Sequence, residues 1–240
     1  MGNIKNSKKW VVPILMFIFC EFIYRQHLVK YLLDRDYLVV NFFENSFLNK
    51  TFSFGLLNFA IAVIILLISK FIFKEKLTSI DSSDKMSLRK SAIIVFSAVV
   101  VTIIVFYLLT YIIYDILGSS VNSAAAMYIR EISMRNKYIY VIFTFFTVTF
   151  EEVVYRKLLF GYLYDLHSGC NKYVRFITSL LGSVIIFGAV HDGVFSSGMI
   201  FYVMAGISFT IVYFYTKRIS SAIAIHFLYN ICLRLILTII

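Results

Sequence analysis

Long apolar runs, each broken after roughly twenty residues by a short cluster of polar and charged ones, recur along the 240-residue chain. A helix needs about 20 apolar residues to cross a ~30 Å hydrocarbon core. On that measure the pattern predicts spans over residues 10–24, 52–73, 91–114, 138–164, 173–190, 198–216 and 221–240. The first is short and carries Pro13 near its start. Residues 25–51 alternate charges with Leu, Phe and Val, the pattern of an interfacial amphipathic helix or of an extra short span. The expected fold class is therefore all-α, a polytopic transmembrane helical bundle of seven to eight spans.

Composition agrees: 60% of residues are hydrophobic and 15% charged, against about 45–50% and 25% in a soluble domain. The three cysteines, Cys20, Cys170 and Cys232, are too scattered for a ligand pair or a disulfide framework. A net charge of +10 would suggest nucleic acid in a soluble protein. Here Lys and Arg sit between apolar runs, where they orient the chain and attract anionic lipid head groups, so membrane lipids are the expected partners and nucleic acid is not. Lys5, Lys8, Lys9, the basic residues of segment 70–90, Lys172, Arg175, Lys217 and Arg218 fall on one side of seven spans. Their excess predicts a cell-membrane, multi-pass protein with a cytoplasmic amino terminus. No small-x-small site follows the first apolar run before Glu21 and Arg25, so that run reads as a retained span. Without repeats or Pro-rich linkers, one membrane domain is expected, residues 1–90 supplying amino-terminal spans and an interfacial segment and 91–240 the remaining helical core. Segment 81–90 reads as an ordinary polar connection.

The informative residues are charges inside apolar runs, because a charge near the bilayer centre costs at least ~2.5–3.5 kcal/mol. Glu151, Glu152 and Arg156 lie deep in an aromatic helix. Glu152 and Arg156 are i,i+4 neighbours and can pair across one turn, whereas Glu151 is rotated by about 100° and is left without that partner. A carboxylate so placed suits a general base; the three charges could equally form a structural cluster joining helices. His191 ends one apolar run, and His226 sits four residues before Asn230 in another, which puts imidazole and carboxamide on one face. Alone, each reads as an interhelical hydrogen bond. Together, a carboxylate, two imidazoles and an amide in an apolar bundle suit water-activated hydrolysis of an amide, although an ion or proton relay uses similar groups. His27 and His167 lie in connecting segments.

The ordered set Glu151-Glu152-x-x-x-Arg156, Phe187-x-x-x-His191 and His226-x-x-x-Asn230 resembles the family of type II CAAX prenyl proteases and bacteriocin-processing enzymes, the CPBP or Abi family. The resemblance covers roughly residues 138–234; residues 1–90 match only as generic membrane spans. It implies an intramembrane endopeptidase in a helical bundle, with Glu151 as the base, His191 helping to bind the water, His226 and Asn230 stabilising the oxyanion, and Glu152 and Arg156 as the structural or orienting pair. The implied substrate is a hydrophobic or membrane-associated peptide or protein, with maturation of a secreted peptide or self-immunity to a bacteriocin as the context. Rival readings are a non-catalytic immunity or peptide-binding protein of the same fold and a proton-coupled carrier; the latter is disfavoured because no symmetry-related broken helices are visible.

No obligatory metal or other cofactor is expected, with zinc as the alternative. Glu151, His191 and His226 could form a three-ligand zinc site with an open position, but HExxH is absent and the groups suffice for a glutamate-activated water. Depth arithmetic at ~1.5 Å per residue places Glu151 and His226 together but His191 about 27 Å from the inner side. Either span five begins outside the bilayer or segment 188–198 turns back into the bundle, lining a polar cavity nearer the cytoplasmic face.

Overall fold

The computed structural model describes residues 4–74, 77–81, 83–118 and 123–239. Its helices are α1 (Ile4–Ile18), a π-helical stretch Phe19–Val29, α2 (Lys30–Asp34), α3 (Ser46–Phe71), α4 (Leu88–Tyr111) continued by a π stretch Ile112–Ile116, α5 (Ala124–Arg135), α6 (Lys137–Glu152), a π stretch Val153–Phe160, α7 (Gly161–Leu166), α8 (Lys172–Asp192), α9 (Met199–Thr216) and α10 (Ile219–Ile239). Among the described residues, seven helical segments are long and apolar enough to cross a membrane. The protein is an all-helical membrane bundle.

Asparagine and serine side chains set several of the boundaries. The side chains of Asn45, Ser123, Asn136 and Asn171 accept from backbone N–H groups in the first turns of α3, α5, α6 and α8, satisfying donors that a helix start otherwise leaves orphaned. The first span runs from Val11 to Asp34, ten residues beyond the expected end at 24. Residues 25–34 thus extend that helix and form neither a separate interfacial element nor an eighth span. Their charges concealed the continuation.

The tallest helix is also the innermost. Lys137–Leu166 is 30 residues long and its apolar window is 67% buried, against 17–39% for the other spans; at ~1.5 Å per residue it is about 45 Å long. Around it, α3 packs through Phe59 stacked on Phe146, with ring centroids 4.8 Å apart. Phe17 of α1 meets Tyr155 edge-on at 5.6 Å, and Tyr155 in turn meets Phe187 of α8 at 5.0 Å. Helices α8 and α9 approach closely at Gly188, where an added Cβ would lie 2.8 Å from Val203 Cγ2 and 3.2 Å from the Met199 carbonyl oxygen.

The connection before α4 is more than a polar linker. Leu77, Thr78 and Ile80 are buried, and Thr78 presses so closely on Gly161 that a Cβ there would meet its Cγ2 at 2.7 Å. Asp81 accepts from Lys157 Nζ at 2.6 Å and from the Tyr213 hydroxyl at 3.4 Å. Burial pushes the Asp81 carboxyl above its ordinary range, an effect that Lys157 opposes. This segment ties the outside of the bundle to its central helix.

Candidate active site

Glu151 and Glu152 occupy the last turn of α6, where the aromatic run Phe143 to Phe150 has carried the chain to mid-bundle. Glu151 lies about 21 Å along the central helix from Lys137, and about as far from Leu166. The side chains of Glu152 and Arg156 are fully buried and paired, Nε to Oε2 at 3.1 Å. The Arg156 guanidinium lies over the rings of Phe187 and Phe209, at 4.4 and 5.5 Å from their centroids, and Nη2 reaches the Gly206 carbonyl at 3.5 Å. Pairing and aromatic faces together make a buried arginine tolerable here.

His226 lies flat on Phe209, with centroids 4.3 Å apart and planes inclined by 24°. Its Nδ1 is 2.7 Å from Glu152 Oε1, and its Nε2 is 3.9 Å from Glu151 Oε2. His191, one residue before the end of α8, has Nδ1 2.8 Å from the Phe187 carbonyl oxygen and Nε2 3.4 Å from Glu151 Oε1. The Phe187 carbonyl, like an ionised Glu152 carboxylate, only accepts hydrogen bonds, so both Nδ1 atoms are committed as donors. Both Nε2 atoms therefore face the two oxygens of Glu151, each donating when its ring is protonated and accepting when neutral.

His191 reaches this depth because α8 is unbroken through Asp192 and the short turn to α9 sits level with the middle of the central helix. The helix does not fold back on itself; the whole tip of the α8–α9 hairpin stops short. Above it lies a cavity of about 390 Å³, whose lining includes Arg25, Lys30, Lys50, Tyr128 and His191. Those residues come from the end of the first span, the start of α3, α5 and the end of α8. The cavity is therefore lined from the end of the bundle opposite the amino terminus.

One expectation at Glu151 is overturned. Glu151 is not left without a cationic partner, because Arg25 Nη2 donates to its Oε1 at 3.1 Å. The expectation treated residues 25–51 as a separate segment and so kept Arg25 out of the bundle. Asn230 presents its backbone carbonyl to the Tyr140 hydroxyl at 3.0 Å, but its carboxamide makes no hydrogen bond to a described residue. It stays one turn beyond His226 on α10.

The donor types at Glu151, His191 and His226 are those of a zinc site. No group of three or more His, Cys, Asp or Glu among the described residues is placed to hold a metal ion. The Arg25 guanidinium already bears on the Glu151 oxygen that faces His191, and a dication bound there would meet a fixed positive charge.

Residues 133–232 match the family profile described as type II CAAX prenyl endopeptidase, Rce1-like. The match holds Glu151, Glu152, Arg156, His191, His226 and Asn230 and leaves out Arg25. Over these residues the chain is similar to type II CAAX prenyl endopeptidases. Over 80 residues the chain is also 38% identical to the membrane-embedded CAAX protease MroQ of Staphylococcus aureus (strain USA300), a match covering 33% of the chain and 31% of that protein. The chain thus matches under a third of that relative's length. No solved structure matches the chain.

Proposed function

We propose that the protein is an intramembrane endopeptidase that hydrolyses a peptide bond of a hydrophobic or membrane-associated peptide, using water activated by Glu151. The observation that carries this reading is the convergence of both imidazole Nε2 atoms on one mid-bundle carboxylate, at 3.4 and 3.9 Å. A water bound at Glu151 gives its proton to that carboxylate as its oxygen attacks the scissile carbonyl carbon. The oxyanion of the tetrahedral intermediate accepts from protonated His226 Nε2 and from the unengaged Asn230 carboxamide. Glu152, accepting from His226 Nδ1, holds the ring with Nε2 turned toward Glu151. Collapse breaks the C–N bond, and the proton held by Glu151 passes to the departing nitrogen. Maturation of a secreted peptide, or self-immunity to a bacteriocin, is the biological context consistent with the family resemblance.

The test is cleavage of hydrophobic candidate peptides by detergent-solubilised protein. Glu151→Ala should reduce turnover at least about 10³-fold, as loss of a general base with its bound water does. Undiminished cleavage by Glu151→Ala would reject the assignment. Cleavage should also survive a metal chelator; loss that added zinc reverses would replace glutamate-activated water with metal chemistry.

A further inference from the structure

Arg25 lies on a different helix from every residue of the family motif and outside the matched segment, yet it touches the carboxylate at the centre of the site. Its two terminal nitrogens serve two acids: Nη1 donates to Glu21 Oε2 at 3.4 Å and Nη2 to Glu151 Oε1 at 3.1 Å. Gln26 Nε2 takes the other oxygen of Glu21 at 3.0 Å. Glu21 is fully buried, which sets this bridge apart from an exposed ion pair of little worth. The guanidinium also stands 5.7 Å from the centre of the Phe150 ring, immediately before Glu151. One face of Arg25 is open to the cavity it lines with Lys30, Lys50 and Tyr128.

Charge balance shows why this matters. Glu21, Glu151 and Glu152 are buried against two guanidinium groups, Arg25 and Arg156. Arg156 is committed to Glu152, so without Arg25 two carboxylates lose their cation in a low-dielectric bundle. The bridge also fixes rotation about the end of the Glu151 side chain. With Oε1 held by Arg25, Oε1 meets His191 and Oε2 is left to face His226.

We propose that Arg25 is a positioning residue for the Glu151-dependent reaction, bridging Glu21 and Glu151 so that each oxygen of Glu151 faces its own imidazole. The family-matched helices then form an incomplete site, and the first span supplies the missing part. The catalytic part of the proposal rests on the proteolytic reading; the Arg25–Glu151 contact does not.

Turnover of Arg25→Ala should fall about 10²-fold with KM changed less than about threefold, the signature of a misplaced base. Arg25→Lys should recover only part, since an ammonium keeps the charge but cannot span two carboxylates as a planar fork does. Because the vacated space opens to the cavity, guanidinium ion at tens of millimolar should raise Arg25→Ala turnover about tenfold and leave Arg25→Met, whose side chain fills the space, unchanged. In thermal melting, Arg25→Ala/Glu151→Gln should lose clearly less than the sum of the two single losses. Arg25→Ala turning over at more than half the wild-type rate would overturn the positioning role, and additive melting losses would overturn the contact. If wild type cleaves no peptide, the proteolytic reading falls by itself and the melting cycle alone decides whether Arg25 and Glu151 are coupled.

Discussion

Replacing Glu152 with Gln tests the charge logic at the centre of the bundle. The substitution keeps the shape of the side chain and an oxygen to accept from His226 Nδ1, now 2.7 Å away, but removes the counter-charge of Arg156 at 3.1 Å. Arg156 is fully buried, and its contacts with Phe187, Phe209 and the Gly206 carbonyl exist already in the wild type. They cannot offset the loss. A buried charge stripped of its partner costs ~3–5 kcal/mol, and the retained amide oxygen places the expected loss near the lower end. For a chain of this size about 2–4 °C of melting temperature is lost per kcal/mol, so Glu152→Gln should melt about 6–12 °C below wild type. Glu152→Gln/Arg156→Met removes both charges and fills the arginine's space with an apolar chain; it should melt above the single variant, as neutral replacements of buried pairs do. Far-ultraviolet circular dichroism in detergent micelles reads both. Should Glu152→Gln melt within about 2 °C of wild type, or the double variant melt below the single one, the ion pair is not what holds these helices, and the role given to Glu152 in orienting His226 loses its support.

Two other outcomes follow from particular contacts. Gly188→Ala places a methyl 2.8 Å from Val203 Cγ2 and 3.2 Å from the Met199 carbonyl, pushing α8 from α9 one turn before His191. It should cost about 1–3 kcal/mol and roughly 10–100-fold in peptide turnover, with partial recovery in Gly188→Ala/Val203→Ala; a fully active single variant would refute the close-packing argument. Lys217, between α9 and α10, is pushed down from 10.5 to about 8 by burial and by the neighbouring Arg175 charge. Its acylation rate should therefore level off above pH ~8, while ordinary lysines keep gaining to beyond pH 10. Over that range the unfolded chain holds a proton that the folded one has released, so the same group makes stability rise with pH. Labelling followed by peptide mass spectrometry decides it, and a Lys217 rate still climbing above pH 9 would contradict the shift.

How far the sequence could be read depended on where each charge found its partner. Six of the seven spans were legible from their long apolar runs; apart from the central helix, which carries Glu151, Glu152, Arg156 and Lys157 at mid-length, their charged residues lie toward the ends, as near the caps supplied by Asn45 and Asn171. The first was cut short at residue 24 because Arg25, Lys30 and Asp34 look like the end of a span, whereas they face the cavity within one. Glu151, Glu152, Arg156, His191 and His226 stood out as ionisable groups in apolar runs, and the structure gathers them. Arg25 carried the same signal in fainter form: Glu21 and Arg25 repeat the i,i+4 carboxylate–guanidinium spacing of Glu152 and Arg156, again among aromatic residues. Asp81 gave no such signal, since its burial depends on a connection folding under Gly161. The Thr78–Gly161 contact spans 83 residues of sequence and has no local pattern.

The helical geometry around the site explains why local periodicity could not have been enough. An α-helix turns about 100° per residue, so Glu151 and Glu152 address different partners: one meets Arg25 and His191, the other Arg156 and the Nδ1 of His226. Directly after them the chain widens into the π stretch Val153–Phe160, and the first span is π-helical over Phe19–Val29, where it crosses the same level. In an α-helix a residue five positions on points well away from the starting side chain, whereas i→i+5 bonding brings positions four and five on over the same spot. Arg25 and Gln26 accordingly take one oxygen each of Glu21. With Gln26 occupying Oε1, Arg25 is confined to Oε2 and keeps its second nitrogen free for Glu151. Neither π stretch contains the Gly or Pro that would announce an irregular helix. The widened turns arise instead from the match between helices, and through them a charge in the first span becomes part of a site whose recognisable motif begins more than a hundred residues later.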